Sequence, residues 1–194
     1  MAQDIILHHY DTSPFSEKVR VLLGVKGLSW RSVIQPVIMP KPELVPLTGG
    51  YRRIPVMQIG ADVYCDTQLI LAELEARSPR PPVVKGADWA VNLWADRLFF
   101  QTTVAVVFGE IGDAVPAAFV ADREKLSGRP FDIAAMKAAA PPMKALGTSI
   151  SPKMIGTVAL KNGRSAQRLM AQPAPSSVAP ARSAISARIT WVSQ

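Results

Sequence analysis

Tyr10-Asp11-Thr12-Ser13-Pro14-Phe15-Ser16-Glu17-Lys18-Val19-Arg20 is the stretch whose reading decides the fold. It follows Asp4-Ile5-Ile6-Leu7-His8-His9, a short apolar run of the kind seen in a strand buried on both faces. Ser13 stands where a helix N-cap is wanted, and Pro14 suits the first helical position. Phe15, Val19, Leu22 and Leu23 then recur at spacings of three and four, up to Gly27, which is placed for a left-handed C-terminal cap. A strand therefore runs straight into a helix over Pro14 to Lys26. The first amides of that helix have no partner within it, so its start is a place for an anion.

Working outward, Ser29 to Gln35 reads as a second strand, parallel to the first because a helix crosses between them. Pro36 to Tyr51 is chiefly loop, with room for a short helix at Pro42-Glu43-Leu44-Val45. Ile54-Pro55-Val56 leads into a hairpin, Val56 to Ile59 and Val63 to Cys65, turning at Gly60-Ala61-Asp62. Asp66-Thr67 then caps a helix to Arg77 and offers a second anion site. The order is βαβ followed by ββα. Ser78-Pro79-Arg80-Pro81-Pro82 ends this domain, which spans residues 1–80. From about Ala87 the pattern is helical: one long helix to Phe108, a second from Pro116 to Leu126, and a third from Asp132 to Ala145 interrupted at Pro141-Pro142. These make a partial all-α domain over 87–146, and residues 147–194 read as an irregular basic tail. The fold class is α/β, a βαβ-ββα N-terminal domain followed by an all-α domain.

Composition narrows the function. With 194 residues, 48% of them hydrophobic, the chain can bury a core, which argues against disorder throughout. No apolar run approaches a membrane span, and Met1-Ala2-Gln3-Asp4 lacks the basic start of a secretory signal, so a cytoplasmic protein is expected. Cys65 is the single cysteine, which excludes an intrachain disulfide and a multi-cysteine zinc site. His8 and His9 point to opposite faces of a strand, so no metal is expected. The net charge of +7 is unevenly placed: residues 1–128 hold 13 Lys and Arg against 14 Asp and Glu, whereas residues 129–194 hold 9 against Asp132 alone. The excess lies in the last third, so nucleic acid is not the expected partner of the folded part.

The segments Tyr10 to Arg20 and Arg53-Ile54-Pro55-Val56, with Asp66-Thr67 following, resemble the glutathione S-transferase family, which implies a thioredoxin-like N-terminal domain and an all-α second domain that is incomplete here. The likeness is to its serine-type, bacterial branch, and it covers residues 4–78 well and 87–128 loosely. The resemblance implies that glutathione is the co-substrate, that Ser13 serves its thiol, and that Pro55 is cis and turns the Val56 backbone toward the cysteinyl part of the tripeptide beside Ile54. It further implies that Asp66 meets the γ-glutamyl ammonium and Thr67 the γ-glutamyl carboxylate, with Lys41, or else Arg53, at the glycyl carboxylate. Ser16 and then Tyr10 rank behind Ser13 as the thiol partner. Cys65 is expected to be a small buried residue rather than a nucleophile. Phe15, Trp94 and Phe99, with Phe100, are the candidates for walls of an electrophile pocket.

The chemistry agrees. Only a thiolate attacks electrophiles, and a free thiol ionises at about pH 8.5 to 9, so a donor hydroxyl at a helix N-terminus helps by stabilising the anion. The expected function is conjugation of glutathione to a small electrophile, and the resemblance implies a homodimer. The alternative is a non-catalytic glutathione-binding or protein-interaction module left by a disrupted C-terminal domain. A third reading, a basic nucleic-acid binder, depends wholly on the tail. No acidic residue occurs from Ile133 to Gln194, and a shifted reading frame after about residue 146 accounts for such a bias.

Overall fold

The computed structural model of the chain describes residues 4–150 and 189–190. Its described residues divide into two compact units, 4–92 with 189–190, and 93–150.

In the first unit, strand β1 (Ile5–His9) runs into helix α1 (Pro14–Val25) and returns as strand β2 (Trp30–Ile34), parallel to β1 with Ile5 opposite Trp30 and His9 opposite Ile34. Gly27, at φ +63°, lets the Leu28 amide donate back to the Leu23 carbonyl, and this left-handed step ends α1. A short helix α2 (Leu44–Leu47) follows, two residues later than the proline-rich sequence suggests. Strands β3 (Val56–Ile59) and β4 (Asp62–Cys65) form the hairpin, β3 lies antiparallel on β1, and helix α3 (Thr67–Arg77) closes the unit. The sheet order is β2-β1-β3-β4-β5, where β5 is a two-residue strand, Ile189–Thr190, parallel to β4.

Sequence periodicity determines which face each element buries. Val19, Leu22 and Leu23 of α1 and Ile70, Leu71 and Leu74 of α3 pack with Leu7, Met57 and Ile59 on one side of the sheet. Leu44, Val56, Val63 and Cys65 form a smaller cluster on the other. Fully burying each such side chain contributes about 1.5–3 kcal/mol, which makes this two-sided sandwich the rigid support of the unit.

Helix α4 (Asp88–Trp94) passes through a π-helical turn at Ala95–Phe99 into helix α5 (Phe100–Ile111). The sequence reads as one unbroken helix here. The π turn aligns residues five apart, which brings the rings of Trp94 and Phe99 to 5.4 Å.

In the second unit, helices α6 (Ala117–Ser127) and α7 (Ile133–Ile150) follow α5. Phe108, Phe119 and Phe131 form a ring cluster with centroids 5.0 to 6.0 Å apart. Asp132, the last acidic residue of the chain, caps α7 by accepting from the Ala135 amide at 2.9 Å. The prolines were expected to interrupt this helix, yet α7 continues through Pro141 and Pro142. The turns ahead of them are fixed against α5 by close backbone approach. A Cβ on Gly109 would lie 2.6 Å from the Met136 carbonyl oxygen and 2.8 Å from Ala140 Cβ, and one on Gly112 would overlap Ile133. Tertiary packing thus outweighs the local cost of two lost helical hydrogen bonds. Apart from the end of α7 and β5, the tail read as out of frame lies outside the described residues.

Candidate functional site

Strand register explains why distant residues meet. His8 of β1 stands opposite Val56 of β3, and Val56 stands opposite Cys65 of β4. The end of β1, the start of β3 and the end of β4 therefore lie side by side. The segments that leave them carry Tyr10 to Ser13, Ile54-Pro55 and Asp66-Thr67, so all of these emerge at one end of the sheet.

Ser13 is the N-cap of α1, and its Oγ accepts from the Ser16 amide at 3.1 Å. Accepting there leaves the hydroxyl hydrogen to donate elsewhere, and Pro14 at the helix start leaves the first-turn amides pointing the same way. Ser13 is 2% exposed, and Ser16 is fully buried with its Oγ unpartnered. The Ile54–Pro55 bond is cis, Ile54 borders the smaller core cluster, and Val56 is the first paired residue of β3.

Asp66 caps α3, its Oδ1 accepting from the Gln68 amide at 2.7 Å. Its backbone, at φ 79° and ψ 135°, is the only positive-φ non-glycine conformation among the described residues. Such a conformation costs on the order of 1–3 kcal/mol and persists where surrounding structure imposes it, a pattern concentrated at binding sites. Thr67 follows, buried, as the first residue of α3. Lys41 is buried beside Tyr10, with its ammonium 5.6 Å from the ring centroid and donating to the Pro36 carbonyl. Arg53 is exposed. Phe15 is half-buried below the Lys18 ammonium, 5.9 Å away, while Trp94 and Phe99 belong to the second unit. Burial pushes the Cys65 thiol up to about 11, with Asp66 adding to the shift, so it is a neutral, inert side chain at neutral pH.

Arg20 is the residue that sequence reasoning passed over. Its guanidinium donates to the Tyr10 carbonyl at 3.4 Å, to the Asp11 carbonyl at 3.0 Å and to His9 Nδ1 at 2.9 Å, and it pairs with Glu17 at 2.6 Å. It ties the loop ahead of Ser13 to the second turn of α1. The only signal in the sequence was the three-residue spacing of Glu17 and Arg20, which more often marks a solvated pair.

Because an arginine only donates, His9 Nδ1 must accept, and Nε2–H donates to Ser32 Oγ at 2.7 Å. Burial, and then the Arg20 charge, lower the His9 pKa to about 4. The unfolded chain, with an ordinary histidine near 6.5, takes up a proton in the interval between these values that the folded chain refuses. Stability is thus expected to fall as pH drops through that window, by about 2 kcal/mol between pH 7 and pH 5. Urea unfolding of wild type and His9→Gln at the two pH values checks this; equal losses in both proteins would contradict it.

Among the described residues there is no group of three or more His, Cys, Asp and Glu side chains that could hold a metal, and no helix is long and apolar enough to cross a membrane.

The βαβ–ββα order, with two capped helix starts at one end of the sheet, defines a thioredoxin-like domain. Residues 7–82 match the family model for the glutathione S-transferase N-terminal domain. Among solved structures, a GST-like protein from Pseudomonas syringae is 52% identical over 54% of this chain and 40% of its own, with a TM-score of 0.49. A glutathione S-transferase from Rhodospirillum rubrum F11 is 24% identical over 70% of this chain and 60% of its own, with a TM-score of 0.53. FzlA from C. crescentus is 21% identical over 79% and 68%, also with a TM-score of 0.53. The last two share the fold. The chain spans 40% and 60% of the length of the first two structures. No curated protein matches it.

Proposed function

We propose that the chain binds glutathione and holds its sulfur as a thiolate for attack on a small electrophilic molecule. The observation that carries this reading is the register that sets Ser13, Val56 and Asp66-Thr67 at one end of the sheet of a glutathione S-transferase N-terminal domain. The Ser13 hydroxyl donates to the sulfur, and the α1 N-terminus adds positive potential. The chain entering β3, Ile54-Pro55-Val56, is assigned to the cysteinyl residue. Asp66 takes the ammonium, and Thr67 takes the γ-glutamyl carboxylate at the α3 N-terminus. Lys41 is assigned to the glycyl carboxylate.

Glutathione-dependent thermal stabilisation tests the binding half. At glutathione about a hundredfold above Kd, wild type gains about 2.7 kcal/mol. Asp66→Asn keeps the cap acceptor and tolerates the positive φ but loses the charge. Its own melting temperature should stay close to wild type while its glutathione affinity falls about tenfold, the loss of one charge-assisted bond. An unchanged affinity would remove Asp66 from the site.

A second reading, a glutathione-binding module without catalysis, is favoured by one observation: Ser13 is 2% exposed, as a plain N-cap would be. Retention on immobilised glutathione, without conjugation of a reactive aryl halide and without change on Ser13→Ala, would support it.

A further inference from the structure

Three polar side chains join the starts of α1 and α3. Lys18 Nζ donates to Asn92 Oδ1 at 3.2 Å, and Asn92 Nδ2 donates to Gln68 Oε1 at 2.9 Å. The chain has a direction. An ammonium only donates, so Lys18 fixes which end of the Asn92 amide carries oxygen, and that in turn makes Gln68 present its own oxygen. Gln68 is one step from Thr67, and its backbone amide is already held by Asp66. Lys18 sits on α1, which Ser13 caps. Asn92 is aimed at this gap because Trp89, three residues earlier on the same face of α4, packs against the core of the first unit.

We propose that Asn92 is a positioning residue for the glutathione site: it fixes the separation between the helix start that meets the sulfur and the helix start that meets the γ-glutamyl end. This rests on the glutathione reading above. A tripeptide gripped at both ends tolerates little change in that separation, since a displacement of about 1 Å at a reacting group costs on the order of a hundredfold in rate. Neither Lys18 nor Asn92 needs to touch the ligand for this. The three side chains lie far apart in sequence on three helices, where each reads as an ordinary solvated residue.

Asn92→Leu preserves shape and removes both hydrogen bonds. Asn92→Asp preserves the acceptor for Lys18, and Gln68 can turn its amide to donate to the new carboxylate, so it is the conservative variant. Glutathione affinity is read from thermal stabilisation, each protein against its own ligand-free melting temperature, and kcat/KM from conjugation of a reactive aryl halide. Asn92→Leu should weaken glutathione binding about tenfold or more and lower kcat/KM by at least as much, with Asn92→Asp close to wild type. In a Lys18→Met background the Asn92→Leu effect should shrink, because the chain is already broken. If Asn92→Leu lowers only the ligand-free melting temperature and leaves affinity and KM unchanged, the residue is structural and the inference is overturned while the glutathione reading stands. If wild type gains no stability from glutathione, that reading fails first and takes this one with it.

Discussion

Ser13→Ala is expected to lower kcat for glutathione conjugation on the order of 10² to 10³-fold while leaving the fold intact. On the glutathione reading, the variant removes one donor from the helix start that holds the ionised sulfur, and losing a single donor of this type costs about that much. Stability should fall by only about 1 kcal/mol, because the same oxygen also caps α1 through the Ser16 amide. Ser13→Cys gives a sharper comparison, since it changes the chemistry offered to the thiol while retaining a weaker acceptor for the cap. Rates measured under saturating glutathione separate the chemical step from binding. A Ser13→Ala enzyme with wild-type kcat would exclude the hydroxyl from catalysis and turn attention to Ser16, which is buried with its Oγ unpartnered.

Lys26→Met should destabilise the first unit by about 3–5 kcal/mol. The Lys26 side chain is fully buried, and its ammonium donates to Glu75 at 3.0 Å, to the Ser78 carbonyl at 2.6 Å and to the Pro81 carbonyl at 3.1 Å. Glu75 reaches on to the Val83 and Val84 amides at 3.1 and 2.9 Å. One ion pair thereby fastens the end of α1, the end of α3 and the proline-rich segment after it. Burial alone would raise the Glu75 carboxyl, but Lys26 and the two amides together hold it below its usual range. Its contribution is therefore present above the ordinary carboxylate pKa and is lost as pH falls through the lowered folded value. Removing Lys26 alone strands a carboxylate among groups arranged for it. Lys26→Met with Glu75→Met removes both charges and should recover much of the loss. Urea unfolding of the single and double variants measures the difference, and a double variant no more stable than the single one would contradict the account.

The first unit was legible in the sequence because glycines, prolines and capping residues punctuate it at each boundary. Gly27 ends α1, Pro55 precedes β3, Asp66 opens α3, and each is required by local backbone chemistry rather than by distant packing. The candidate site was legible for the same reason, since caps and turn residues also form it. What escaped were long-range choices. Pro141 and Pro142 remain helical because Gly109 and Gly112 let α7 approach α5 closely, which no local pattern announces. The π turn at Ala95–Phe99 aligns residues five apart over a single turn, too short a segment to register in the apolar periodicity. Arg20, Lys26 and Asn92 carry no local signal of their partners, most of which lie on other elements.

The most direct test is the ionisation of glutathione while bound. Thiolate absorbance in the near ultraviolet, titrated against pH at saturating glutathione, should show a midpoint at least one unit below that of the free tripeptide, equivalent to about 1.4 kcal/mol or more of preferential anion binding. The midpoint should return toward the free value in Ser13→Ala. A bound thiol that titrates as it does in solution, or the same midpoint in both proteins, would contradict the claim that this helix start and its serine stabilise the sulfur as an anion.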